Sequence, residues 1–167
     1  MCVELQTARL RLRAATVADA ATLAILTGEP DPEGKRVARS MALVENSQKW
    51  CTEFEYGLWV LERPPTEAVI GWCGLRPREE PQAPELLYGL APAARGLGLA
   101  TEAVEAVISW LFSRSDITGL WAVTDPSNTA SARLLERVGL DFERRGDFDG
   151  LDSLIYRLSA TTWRARG

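Results

Sequence analysis

The sequence predicts a mixed α/β (α+β) fold, a mainly antiparallel central sheet with helices on both faces. Three observations lead there. Segments of period two and segments of period 3.6 both occur, so strands and helices share one chain. The first half pairs strands through a short proline-rich turn, the mark of antiparallel neighbours. The second half runs helix, strand, helix and two strands, which is not the regular alternation of a doubly wound nucleotide fold. The 167 residues are enough for one domain with its own core, and 46% hydrophobic against 25% charged residues is the usual globular balance. We expect a single domain over residues 7–160.

Residues 9–13 alternate basic and apolar, with Leu10 and Leu12 on one face, and predict a half-buried strand. Thr16 with Asp19 resembles a capped helix start. The helix places Ala20, Leu23, Ala24 and Leu26 inward, and Gly28, Pro30 and Pro32 end it. Val37, Met41 and Val44 have helical spacing, and Trp50, Cys51 and Phe54 resume it after Ser47. Two short helices with a break near Asn46 are expected. Residues 58–61 and 68–75 form a hairpin about the Pro64-Pro65 turn. A charged, proline-rich loop over 77–84 leads to a strand over 85–90. Ala100, Ala103, Val104, Val107, Ile108 and Leu111 then line one helical face, with Glu102, Glu105 and Ser109 opposite. Residues 119–124 form a strand. Asp125-Pro126-Ser127-Asn128 opens a helix with Ala132, Leu135 and Val138 inward, closed by Gly139. Two strands, 142–145 and 154–158, finish the chain around Asp149-Gly150.

Composition narrows the chemistry. The chain has no histidine, which excludes His triads, His metal ligands and imidazole proton shuttles. Nineteen basic against 23 acidic residues argue against nucleic-acid binding through bulk charge. Cys2, Cys51 and Cys73 are widely spaced with no C-x-x-C pair, so neither a zinc site nor a disulfide framework is expected. Reduced thiols, the lack of a long apolar run and an N-terminus unlike a signal peptide predict a cytoplasmic protein without a membrane partner.

The stretch with the most chemical content is Arg95-Gly96-Leu97-Gly98-Leu99-Ala100, between a strand and a helix. Glycines let the backbone turn tightly and approach a ligand. Successive amides at the positive end of a helix can hold a diphosphate. No Gly-Lys-Ser/Thr follows, and the three-glycine dinucleotide spacing is missing.

This stretch, with Tyr88-Gly89-Leu90-Ala91 before it and Thr101-Glu102-Ala103 after it, resembles the acetyl-CoA motif of the GCN5-related N-acetyltransferases (GNAT), of the form Gln/Arg-x-x-Gly-x-Gly/Ala. Asn128-Thr129-Ala130-Ser131, followed by Val138-Gly139-Leu140, is similar to that family's Asn-x-x-Ser helix and its Gly-Phe ending. The Leu10-Arg11-Leu12-Arg13 opening and the 70–75 strand resemble the branch containing the ribosomal-protein alanine N-acetyltransferases. Leu140 stands where the family often has Phe, and Ala93-Ala94 where this branch often has aromatic residues.

The resemblance implies acetyl-CoA as co-substrate, no metal, and a primary amine as acceptor, either a protein N-terminus or a small molecule. A homodimer is an option it leaves open. The alternative function is a non-catalytic acyl-CoA-binding module. The sheet would splay between the 85–90 and 119–124 strands to admit the cofactor. Backbone groups of Leu90 and Ala91 would pair with pantetheine. Amides from Arg95, Gly96, Leu97, Gly98, Leu99 and Ala100 would hold the diphosphate, with Thr101 adding a hydroxyl and Arg95 a charge. Asn128 would meet the pantetheine arm or cap the helix. Arg133 and Arg137 would reach the adenosine phosphate or stay solvated. Glu85 is the candidate base, with Glu79 and Glu80 as rivals. Ser131 is the candidate donor to the thiolate, with Tyr156 and Tyr88 as alternatives. Trp50 would wall the acceptor site, whereas Trp59, Trp72, Trp110 and Trp121 are core.

Overall fold

Leu10 and Leu12 are both buried, as the alternation over residues 9–13 requires. The hydrogen-bonded strand itself begins later, at Arg11, and Arg9 lies in the turn before it. The computed structural model describes residues 2–26, 28 and 30–166. Its elements are β1 (Leu5–Gln6), β2 (Arg11–Ala14), a 3₁₀ turn (Val17–Asp19), α1 (Ala20–Ile25), α2 (Lys35–Phe54), β3 (Leu58–Glu62), β4 (Val69–Arg76), β5 (Glu85–Leu90), a 3₁₀ turn (Pro92–Ala94), α3 (Leu99–Phe112), β6 (Gly119–Thr124), α4 (Thr129–Arg137), β7 (Asp141–Phe148), β8 (Leu151–Ser159) and α5 (Ala160–Arg166). The fold is mixed α/β. Its eight strands lie in the order β1-β2-β3-β4-β5-β6-β8-β7, mostly antiparallel, with β5 and β6 parallel. Two compact units make up the chain, residues 1–76 with 87–107, and residues 77–86 with 108–167.

In the first unit β2 pairs with β3 and β3 with β4, with Leu12 opposite Leu61 and Val60 opposite Trp72. Ala15, Leu23, Val44, Leu58 and Val60 form a buried cluster, with Leu26, Leu43, Val69 and Trp72 packed against it. The expected break near Asn46 is absent, and α2 is one helix of 20 residues. Its inward stripe passes through Val44, Ser47 and Cys51 without losing phase, while Asn46 faces solvent. The Ser47 hydroxyl does not compete for its own helix backbone. It accepts the Leu58 N–H at 2.6 Å. At the start of α2 the Asp31 carboxylate accepts the N–H groups of Arg36 and Val37, both at 3.0 Å. This capping acid precedes the helix by four residues, so the usual sequence signature does not show it.

The cysteine expectation is corrected. Cys2 and Cys51 form a disulfide, with 5.1 Å between their Cα atoms and 49 residues between them in sequence. The N-terminal segment runs beside the end of α2, a tertiary proximity that spacing alone does not reveal. Cys73 is the free thiol and is fully buried, which pushes its pKa well up and keeps it unreactive. The pairing removes reduced thiols as a ground for the cytoplasmic expectation. No helix among the described residues is long and apolar enough to cross a membrane.

Arg13 ties β2 to its neighbours. Its guanidinium meets Asp19 at 2.9 Å and the buried Glu62 at 2.6 Å, and Arg11 also reaches Glu62 at 3.1 Å. Burial alone would raise the Asp19 pKa, but the Arg13 guanidinium and the Thr16 N–H and hydroxyl hold it below the usual carboxylate range. A carboxyl depressed by folding stabilises the native state above its unfolded pKa of about 3.9, and this stability is lost as pH falls through the folded value. We expect Asp19→Asn to cost about 2 kcal/mol at pH 7, below the roughly 3–5 kcal/mol of a fully buried pair because Arg13 stays partly solvated. Urea unfolding at pH 7 and at about pH 3 checks this, and the gap between the two proteins should narrow at the acid end.

In the second unit β6 pairs with β8 from Gly119↔Ser159 to Thr124↔Leu154, and β8 returns against β7. Both arms are longer than expected because the tight Asp149-Gly150 turn lets pairing continue to Phe148↔Leu151. Gly139 closes α4 with φ +104°, and the Leu140 N–H donates to the Leu135 carbonyl at 2.9 Å. Helix α5 was not expected. It holds Trp163 against Phe112 with ring centroids 5.8 Å apart, and the Arg164 guanidinium donates to the Arg114 carbonyl at 2.8 Å. Trp59 is fully buried, Trp72 is half-buried and packs against the buried cluster, and Trp110 and Trp121 are half-buried.

Candidate active site

The loop between the Pro92–Ala94 turn and α3 is built for close backbone approach. Gly96 and Gly98 both adopt φ +76°, the left-handed region in which a Cβ is strained. No heavy atom lies within 4 Å of where a Gly96 Cβ would sit, so space remains above that glycine. Leu97 between them is 47% exposed, an unusual place for a leucine unless the backbone dictates it. Helix α3 follows at once, 14 residues long, and the first turn of an α-helix has no preceding helical carbonyls for its N–H groups. Leu99 is buried and anchors that turn, whereas Ala100 and Thr101 are half-buried. These features fit a bound diphosphate.

Other residues assigned to the same ligand are arranged differently. The Arg95 N–H donates to the Pro92 carbonyl at 3.2 Å, so its amide is engaged inside the turn. Its guanidinium folds back onto the Leu90 carbonyl at 3.2 and 3.3 Å instead of standing at the loop mouth. The Ala91 N–H donates to the Ile70 carbonyl at 2.8 Å and thus extends the β4 edge.

The loop is held from below by residues not assigned to the site by sequence. The Arg9 guanidinium donates through Nη1 to the Leu97 carbonyl at 2.8 Å and through Nε to Glu102 Oε2 at 2.7 Å. The Arg9 N–H and the Thr7 hydroxyl both donate to Glu102 Oε1. Glu102, expected on the solvent face of α3, is therefore tied inward. Burial would raise its pKa, but Thr7 and Arg9 hold it below the usual range.

In the second unit Asn128 is the N-cap of α4, its Oδ1 accepting the Ser131 N–H at 3.1 Å. Ser131 is half-buried in the first turn. Tyr156 is buried and its hydroxyl donates to Glu136 Oε1 at 3.4 Å. Burial raises its phenol pKa, and the neighbouring Glu136 carboxylate raises it further. Arg133 and Arg137 lie on the exposed face of α4.

Glu85 is 4% exposed at the start of β5, opposite Trp121 of β6. It is neither a solvated edge charge nor an unengaged carboxylate. Arg78 lies 3.3 Å from Glu85 Oε2, meets Asp149 at 3.3 Å, and has its guanidinium carbon 4.4 Å from the centre of the Phe148 ring. The ladder from β5 to β6 comprises two residue pairs, Glu85↔Trp121 and Leu86↔Ala122. Glu79 and Glu80 are exposed, and Tyr88 and Trp50 are half-buried.

The acetyltransferase (GNAT) domain family matches residues 9–141, more than half of the chain. The chain belongs to the GNAT acetyltransferases. An uncharacterized Bacillus subtilis (strain 168) protein, YkkB, is 30% identical over 151 residues, covering 84% of this chain and 87% of that protein. A GNAT-family acetyltransferase from Bordetella pertussis aligns with TM-score 0.79 and 26% identity, covering 93% of this chain and 98% of that one. The fold is shared with RimL, a ribosomal L7/L12 alpha-N-protein acetyltransferase in complex with coenzyme A, at TM-score 0.78, 15% identity and coverage of 96% and 99%. This GNAT protein is an acetyl-CoA-dependent N-acetyltransferase. Its matched region contains the glycine loop and α4 up to Asp141.

Proposed function

We propose that the enzyme moves an acetyl group from acetyl-CoA to a primary amine by direct attack, with both substrates bound at once. The acceptor is a protein N-terminus, as for RimL, or a small-molecule amine. The observation that carries this reading is the pair of left-handed glycines ahead of a 14-residue helix, which makes an anion cradle at the helix N-terminus. Gly96, Leu97, Gly98, Leu99 and Ala100 supply its backbone, and Thr101 its hydroxyl. Arg95 contributes by fixing the Leu90 carbonyl rather than by touching phosphate. Acetyl-CoA brings an activated thioester. Leu90 provides the backbone contact for its pantetheine arm.

Asn128 shapes the first turn of α4 and so fixes the height of Ser131. The Ser131 hydroxyl then donates a hydrogen bond to the leaving sulfur. Tyr156 retains its proton and directs it to Glu136, which makes it the weaker candidate for that task. Ser131→Ala should lower kcat about tenfold, the worth of one hydrogen bond to a charged group. Its dissociation constant for CoA should stay unchanged. A loss of CoA affinity with kcat intact would make Ser131 a binding residue instead.

The test of the whole reading is thiol release from acetyl-CoA across a panel of peptide N-termini and polyamines. Release that depends on added amine supports the reading. CoA binding without release on any amine contradicts direct amine acetylation.

A further inference from the structure

A trans peptide plane points its C=O and its N–H in opposite directions. Whatever holds the Leu97 carbonyl therefore also aims the N–H of Gly98. The group that holds it is the Arg9 guanidinium, through Nη1 at 2.8 Å. Arg9 is itself locked at two further points. Its Nε donates to Glu102 Oε2 at 2.7 Å, and its own N–H donates to Glu102 Oε1 at 2.8 Å. Glu102 sits in the first turn of α3, and the Thr7 hydroxyl also donates to it. Thr7 is fixed in turn, since its hydroxyl accepts the Leu10 N–H at 2.9 Å and its N–H donates to the Leu10 carbonyl at 2.9 Å. The Arg9 Nη2 lies 3.4 Å from the place of a Gly98 Cβ, so the guanidinium fills the underside of the loop.

We propose that Arg9 is a positioning residue for acetyl-CoA binding: by drawing the Leu97 carbonyl toward β2 it turns the Gly98 N–H into the diphosphate cradle, with Glu102 as its anchor. The inference rests on the diphosphate role of this loop. Arg9 acts through Nη1 and Nε, which engage the Leu97 carbonyl and Glu102, and Glu102 balances its charge. It acts on the shape of the cradle before ligand arrives. Left-handed glycines without such a tie sample many conformations, and selecting one of them on binding lowers the apparent affinity.

The experiment compares the wild type with Arg9→Ala, Arg9→Lys and Glu102→Gln. CoA affinity is measured by calorimetry, and amide hydrogen exchange is followed over 95–101 with β3 as an internal control. We expect Arg9→Ala to weaken CoA about tenfold, near the worth of one charged hydrogen bond. Exchange over 95–101 should quicken in the ligand-free protein, while β3 stays protected. Arg9→Lys reaches one of the two acceptors and should lose less. Glu102→Gln should loosen the same loop although the charge at residue 9 remains. Arg9→Ala binding CoA as tightly as wild type would overturn the inference. So would weaker binding with exchange faster in β3 as well, which means general destabilisation. Wild-type protein that fails to bind CoA overturns the diphosphate reading itself, and the inference with it.

Discussion

Gly98→Val should weaken CoA binding about a hundredfold while leaving a folded protein. Two costs combine. A β-branched residue at φ +76° is a steric outlier worth roughly 1–3 kcal/mol. The loop escapes that strain by rotating Gly98 out of the left-handed region, which swings its N–H away from the cradle. The new side chain also meets Arg9 Nη2, already 3.4 Å from the Cβ position, and pushes on the tie that orients Leu97. The fold survives because the buried side chains nearby, Leu99 and Ala103, belong to α3 and not to the loop. Gly96→Ala, with open space around its Cβ, should cost less, chiefly the left-handed penalty of roughly 1 kcal/mol. Calorimetric titration with CoA checks both. Equal affinity in Gly98→Val and wild type would remove the loop from cofactor binding.

Glu85→Gln should lower kcat about a hundredfold at neutral pH, the lower end of what a general base contributes. We propose that Glu85 is the carboxylate that takes the amine proton, directly or through water, and Arg78 constrains it. Arg78 holds that carboxylate at 3.3 Å and shares itself with Asp149. Arg78 already rests on Asp149 and the Phe148 ring as well, so Glu85 meets the amine only when the guanidinium gives up its contact with Oε2 and keeps the other two. Its position allows that motion, since Arg78 is 25% exposed and lies in the 77–84 loop. Glutamine fills the same space, so CoA affinity should change little, while the lost ion pair with Arg78 should lower the melting temperature as Asp19→Asn does. An amide does not titrate, and the acid side of the pH–rate profile should flatten. A pH–rate profile identical to wild type would assign Glu85 to anchoring Arg78 and take it out of the chemistry.

These two sites show what the sequence makes legible. The glycine loop, Asn128 and Ser131 were readable because each is a local arrangement: a strand, a few residues and a helix start fix the geometry over one turn. The helical face from Ala100 to Leu111 and the strand alternation at Leu10 and Leu12 were readable for the same reason. Arg9 and Glu102 are 93 residues apart, and nothing local distinguishes their contact from two solvated charges. The alternation that correctly placed Leu10 and Leu12 inward also made Arg9 look like an ordinary outward residue. The Cys2–Cys51 pair is another such case, since cysteine spacing does not show that the segment before β1 meets α2. Helix α2 shows the converse error. Asn46-Ser47 is a valid local start signal, but the buried stripe through Val44, Ser47 and Cys51 overrides it, because tertiary packing contributes more than a cap. Arg78 was hidden by its loop, where a charged, proline-rich composition reads as solvent-exposed whatever it covers.

The most direct test of the account is a crystal structure of the protein grown with acetyl-CoA. The account predicts diphosphate oxygens within hydrogen-bond distance of the N–H groups of Gly96 and Gly98 and of the first turn of α3, with Arg9 still on the Leu97 carbonyl. A diphosphate lodged elsewhere, with that loop facing only solvent, would contradict it.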